Sequence, residues 1–291
     1  MLSGGSLVRI AVIAAWTGLL GSHVADHAWP TRGDPRRLAL AARSGERATY
    51  DLVLDGTPQD AKGRRAVGTC TVSCARREPG YRLSTQVTLI DQSFIPGFEA
   101  VRGRLGIAAG ARAQVTLAIV EDFDAAPCLR AFDIEAAAGG STARFHTSFE
   151  RAGLHGHWLI DGGPSGEVDF PAFDSTGLQG LQLVAVMPPR MAAGDRFAAD
   201  LLGIDALARA PAHRVVVYLA GDEETVTIAG RASVLRCIEG TCDGAPTVRV
   251  WCDRSGLVVR QRSQDVGISL ELRQVDDGAV APIDPATDRD P

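Results

Sequence analysis

The sequence predicts a mainly β protein: one large curved antiparallel sheet, a half-barrel or a sandwich, with one or two short helices and an N-terminal signal or anchor helix. Three observations carry this. Apolar and polar side chains alternate with a period of two through run after run. Gly-, Pro- and Asp-rich turns punctuate those runs at short intervals. The one long apolar run sits at the start of the chain.

That opening run is organised like an export signal. Met1–Arg9 is short with one arginine, Ile10–Gly21 is mostly apolar, and Ser22–Ala28 is small and polar. Twelve residues rise ~18 Å as a helix, short of a ~30 Å hydrocarbon core. The expectation for 1–28 is therefore a signal peptide cleaved after Ala25 or Ala28, ahead of an uncleaved membrane anchor. Residues 29–45 hold Pro30, Gly33, Pro35 and several arginines and read as a linker. A single β-rich domain is expected over 46–275, and the Asp- and Pro-rich residues 276–291 read as a disordered tail.

Within the domain the strands follow in order. Tyr50, Leu52 and Leu54 alternate with Thr49, Asp51 and Val53. Tyr81, Leu83, Thr85, Val87 and Leu89 alternate with Arg82, Ser84, Gln86 and Thr88, a half-buried strand. Runs at 66–76, 98–107, 113–120, 128–135 and 142–150 are strand-like. One helix is predicted from Ser175 or Thr176 to about Met187, ended by Pro188-Pro189, although Leu181–Val184 also fits a strand. Val215–Leu219 is apolar at every position, which predicts burial on both faces. Strand-like runs at 225–228, 231–238, 248–251, 257–260 and 268–272 complete a meander.

Composition narrows the function. The net charge is −5 and there is no basic stripe, so no nucleic acid partner is expected. The chain has no asparagine, hence no N-glycosylation acceptor. Cys70, Cys74, Cys128, Cys237, Cys242 and Cys252 suit an oxidising compartment. Cys237 and Cys242 flank Ile-Glu-Gly-Thr, read as a hairpin loop that a disulfide would close; the remaining pairing is open.

The C-terminal third carries a resemblance. It holds Ala193-Gly194-Asp195-Arg196-Phe197, then Glu223-Glu224-Thr225-Val226, and last Val250-Trp251-Cys252-Asp253-Arg254-Ser255-Gly256-Leu257. In this order they resemble the exported bacterial domains of the DUF3108-like and LolA-like group. They are also similar to the β domain upstream of some secreted transglutaminase-like catalytic domains. Tyr50–Gly56 is similar to the first strand of such domains. The resemblance implies a half-barrel closed by one or more helices, and in the lipoprotein carriers of the group the concave face shelters acyl chains. No ligand-contact motif transfers to this sequence.

Candidate chemistry is sparse. His155 and His157 share one face of a strand and Asp161 follows, the makings of a cupin-like metal site and a metal-dependent enzyme. No second cupin motif accompanies them. No Gly-x-Ser-x-Gly elbow or Walker loop occurs. Glu121, Asp122 and Asp124 read as a solvated loop. The expectation is a non-catalytic protein without cofactor, periplasmic or held at the cell envelope by its N-terminal segment. Its partner would be an apolar or lipid ligand, or another envelope protein.

Overall fold

The structure, a computed structural model, describes residues 35–55, 64–91, 114–149, 153–174, 177–181, 185–205, 210–228, 230–264 and 267–277. Helix α1 (Pro35–Arg43) comes first. Then follow β1 (Glu46–Leu54), β2 (Arg65–Arg77), β3 (Gly80–Leu89), β4 (Val115–Phe123), β5 (Leu129–Ala138), β6 (Ser141–Phe149) and β7 (Leu154–Ile160). The rest are β8 (Ser165–Phe170), β9 (Arg196–Asp205), β10 (Ala210–Ile228), β11 (Arg231–Cys242), β12 (Ala245–Cys252), β13 (Val258–Ser263) and β14 (Ile268–Asp277). The expected segment 1–28 and the strand-like run 98–107 lie outside the described residues. No helix among the described residues is long and apolar enough to cross a membrane.

All these strands form a single antiparallel sheet, in the order β8 to β1, then β14 back to β9. The architecture is thus a half-barrel and not a two-sheet sandwich. Two meanders, β1–β8 and β9–β14, are joined where β1 pairs with β14. The sheet must roll up. Leu117 of β4 and Leu201 of β9 line the same cavity, yet nine inter-strand steps separate their strands in the sheet order. Laid flat, at ~4.8 Å per step, they would stand about 43 Å apart. Register shifts at Thr49/Tyr50, Leu52/Val53 and Ala220/Glu223 supply local bends.

The predicted linker at 29–45 is corrected for its described part. Arg-Arg-Leu-Ala-Leu-Ala-Ala-Arg is a run of strong helix formers behind a proline, which suits the first turn. Ala39 and Leu40 of this helix are fully buried. The helix predicted at 175–187 is also corrected: residues 177–181 and 185–187 are non-helical. They belong to the connection that carries the chain from edge strand β8 to edge strand β9 (171–195), in which Leu178, Gly180 and residues 185–188 are buried. Val215–Leu219 is a third correction. Val216 and Tyr218 are buried, but Val215, Val217 and Leu219 are 40–48% exposed on the convex face. Full apolarity predicted cover on both faces, and among the described residues no element covers the outside of β10. At the C-terminus β14 extends to Asp277, past the expected boundary at 275.

The interior divides into two clusters. One gathers Tyr50, Leu52, Cys70, Tyr218, Ile238 and Val250 from β1, β2 and β10–β12. The other gathers Leu40 of α1 with Leu83, Phe123, Leu129, Phe132 and Phe149. Phe132 meets Phe145 and Phe149 with ring centroids 5.7 and 6.0 Å apart. The inner connection lies between them: Leu178 and Val186 pack into the second cluster, Ala185 and Met187 into the first.

Candidate functional site

Among the described residues, the aromatic cluster and α1 fill one end of the half-barrel and leave a cavity toward the other. A cavity of about 420 Å³ is lined by Leu52, Cys70, Val87, Leu89, Leu117, Leu201, Val216, Tyr218, Val248, Ile268 and Leu270. These are inward positions of their strands, the same face that strand alternation assigns to the core. Val87, Leu89, Leu117, Val248 and Ile268 remain only partly buried, because the cavity in front of them is open. Its described lining lies toward the end of the sheet where β1 and β3 finish and β2, β4 and β14 begin. Polar lining residues sit toward the same end: Arg214 on β10, Thr247 on β12 and Ser263 on β13. Deeper in, Phe197 stacks on Tyr218 at 4.8 Å. Burial pushes the Cys70 thiol up to about 12, so the wall there is neutral.

The inner connection forms the cavity's remaining wall through Leu181 and Ala185. A backbone crossing an apolar interior needs partners for its N–H and C=O groups. Here they come from several sources. Leu129 N–H donates to Leu178 O at 2.7 Å, Gln179 N–H to Asp200 O at 2.6 Å, and Leu202 N–H to Gly180 O at 3.0 Å. The last two bonds use groups on the free edge of β9. Beyond them two buried side chains take over. Glu121, 2% exposed on β4, accepts the Leu181 N–H at 2.7 Å. Gln261 on β13 accepts the Ala185 N–H at 2.7 Å. The far end is fixed at the β12–β13 turn, where Arg190 N–H donates to Arg254 O at 2.9 Å. There Arg43 of α1 also donates to Ser255.

Glu121 was not legible as a structural partner when read as part of a solvated loop; β4 in fact includes Glu121 and Asp122. The available signal was phase: Leu117, Ile119, Glu121 and Phe123 are two apart, so the carboxylate shares the inward face. Asp122, on the outer phase, pairs with Arg82 at 2.7 Å.

The histidines do not form the cupin-like site. His155 and His157 do share a face of β7, but it is the outer one. His155 Nδ1 meets Asp169 at 2.8 Å. The His157 ring lies 5.4 Å from that of His146, which bonds Asp133 at 2.6 Å. Asp161 accepts from Arg144 at 2.8 Å in an exposed turn. Among the described residues no group of three or more His, Cys, Asp or Glu side chains is placed to hold a metal. His213 is committed to Asp200 at 2.7 Å and stacks on Phe173.

The hairpin reading of Cys237 and Cys242 is likewise corrected. Ile238–Thr241 continue β11, and the turn follows at Asp243-Gly244, both at positive φ. Cys242 packs into the main cluster facing the interior. Cys237 belongs to a small outer cluster with Trp251, and Arg249 Nε donates to its sulfur at 3.0 Å. The two are on opposite faces of one strand and all six cysteines are free thiols. Cys70 and Cys74 do share the inward face, as alternation predicts, and both are buried.

The geometry defines an unclosed antiparallel half-barrel with an internal strap and a mainly apolar cavity. Comparison with family models and with curated proteins gives no match. Among solved structures the chain is similar to a beta-barrel-like protein of domain of unknown function DUF1849 from Brucella abortus. That match has 13% identity and a TM-score of 0.44, over 80% of this chain and 97% of the other. It is also similar to a DUF1089 family protein from Pseudomonas aeruginosa, at 18% identity and a TM-score of 0.32, over 65% and 87% of the two chains.

Proposed function

We propose that this chain is a non-catalytic protein of the cell envelope whose half-barrel holds an apolar or lipid ligand. The observation that carries the reading is the cavity. Its volume of about 420 Å³ falls inside the ~300–1,000 Å³ range of small-molecule sites. Val87, Leu89, Leu117, Val248 and Ile268 of its wall are inward-facing yet incompletely buried. Uncovered apolar surface of that kind is stabilised by contact with an apolar guest. The export-like N-terminus and the resemblance of the C-terminal third to LolA-like carriers support the same reading. The test is to delipidate the protein, incubate it with an envelope lipid extract, repurify it and analyse it by mass spectrometry. A retained lipid, lost when Leu117→Trp fills the cavity, is the expected result. No retained lipid at any extract concentration rejects the ligand reading and leaves contacts with another envelope protein as the function.

A further inference from the structure

The geometry points to a zinc site on the outer face of β5–β8, built from none of the cavity's residues and independent of the ligand reading. Cross-strand register lines up Asp133, His146, His157 and Glu167, one from each of four consecutive strands. All four are on the outer face, because their sequence neighbours Phe132, Phe145 and Val168 pack into the aromatic cluster inside. The His146 and His157 ring centroids are 5.4 Å apart. With Zn–N bonds of ~2.0–2.1 Å, two imidazoles on one tetrahedral zinc have centroids roughly 5.2 Å apart, and a right-angled pair roughly 4.5 Å. The observed spacing therefore suits zinc better than neighbouring positions of a square-planar ion. His157 is exposed and His146 partly so, which leaves both rings free to turn their nitrogens to a common point.

A second observation is the carboxylate behind one ring. Asp133 Oδ1 lies 2.6 Å from His146 Nδ1. Donating Nδ1–H to that carboxylate leaves the lone pair on Nε2, the arrangement that orients metal-bound histidines and raises their basicity. The third ligand comes from the edge strand. Glu167 is exposed and directly opposite His157. Cross-strand Cβ atoms stand ~4.5–5.5 Å apart, within a glutamate's reach, so a turn of that side chain adds an oxygen to the two imidazoles. Water fills the fourth position. Asp169, paired with His155, and Arg144, shared between Glu135 and Asp161, flank the row and leave the patch negative, which favours a dication. The set differs from His155, His157 and Asp161, two of which are committed to Asp169 and Arg144. A zinc held this way clips β6 to β7 and, through Glu167, to edge strand β8.

The experiment strips the full chain with EDTA and titrates it with zinc at neutral pH against a chromophoric chelator. One zinc per chain is expected. His146→Ala and His157→Ala should each weaken binding at least about tenfold, and the double variant should abolish it. Asp133→Asn should weaken it about 10–100-fold, although that side chain touches no metal. His155→Ala and Asp161→Asn should leave the affinity unchanged. Zinc should raise the Tm of the parent and not that of the double variant, while the two melt alike in EDTA because the side chains removed lie outside the core. No zinc bound at millimolar metal, binding that survives the double variant, or a loss in His155→Ala as large as in His157→Ala overturns the site. None of these outcomes bears on the cavity and its guest.

Discussion

Replacing Glu121 probes the internal strap directly. Its carboxylate is 2% exposed, and its cross-strand neighbours are Leu83 and Phe132, both in the aromatic cluster. It accepts the Leu181 N–H at 2.7 Å. A hydrogen bond to a charged group contributes ~1.5–3 kcal/mol, and an orphaned buried N–H costs ~1–3 kcal/mol. Glu121→Ala loses the bond, strands the amide and leaves a void, so about 3 kcal/mol of destabilisation is expected. Glu121→Gln keeps an acceptor of the same shape and sheds the cost of burying a charge, so it should stay within about 1 kcal/mol of the parent. For a chain of this size 1 kcal/mol moves Tm by roughly 2–4 °C. The alanine variant should therefore melt roughly 6–12 °C lower. The assay is urea unfolding followed by fluorescence, joined to hydrogen exchange at the Leu181 amide. That amide should exchange faster in Glu121→Ala and stay protected in Glu121→Gln. An alanine variant as stable as the parent, or unchanged Leu181 protection, would refute the strap's dependence on this carboxylate.

Gly256 has φ +83°, and a Cβ there would meet Met187 O at 2.5 Å and Pro188 O at 2.9 Å, whereas Gly244 (φ +77°) faces open space. Gly256→Ala should cost well over the ~1–2 kcal/mol of left-handed strain alone, and Gly244→Ala about that strain, compared by urea unfolding. Burial raises the Cys70 and Cys252 thiols to about 12 from 9.0. At pH 8 their thiolate fraction is then about a thousandfold below that of an ordinary thiol. Iodoacetamide should label the half-buried Cys128 first and reach the other two only after unfolding, as read by peptide mass spectrometry.

The sheet was largely legible because one face of each strand is buried, so polarity repeats with the pleat. β3 and β6 show this within a residue of their observed ends. Three readings failed for separate physical reasons. Helix α1 was concealed by Pro30, Gly33 and Pro35, which punctuate a chain locally but do not forbid a helix that starts at the last of them. The 175–187 segment has spacing compatible with a helix, yet its backbone bonds go to β5, β9, Glu121 and Gln261 instead. Val215–Leu219 defeated the burial rule because apolar side chains also make up much of a folded protein's surface, here as an outward stripe of Val215, Val217 and Leu219. The cavity residues were legible as core, but not as the wall of an open space. Nothing local separates Leu117, which faces the hollow end, from Phe132, which is packed.

The strap also accounts for two of the buried polar residues. A rolled sheet encloses more volume than its own inward side chains fill, and the surplus must be packed, hydrated or left for a guest. At one end this chain packs it with α1 and phenylalanines. Through the middle it threads its own backbone, because the β8–β9 connection has to pass from one edge of the sheet to the other. That choice brings N–H groups into an apolar interior and obliges the walls to supply acceptors. Glu121 and Gln261 fill that requirement from opposite sides, on β4 and β13. Each gives one side-chain oxygen to a main-chain amide of the strap. What remains beyond the strap is space that the described residues leave unfilled, lined by Leu89, Leu117, Ile268 and Arg214. A chain that needed only stability would gain from larger side chains at those positions, each closing space at ~25 cal/mol per Å² of buried apolar area. That unfilled space is the observation on which the proposed guest rests.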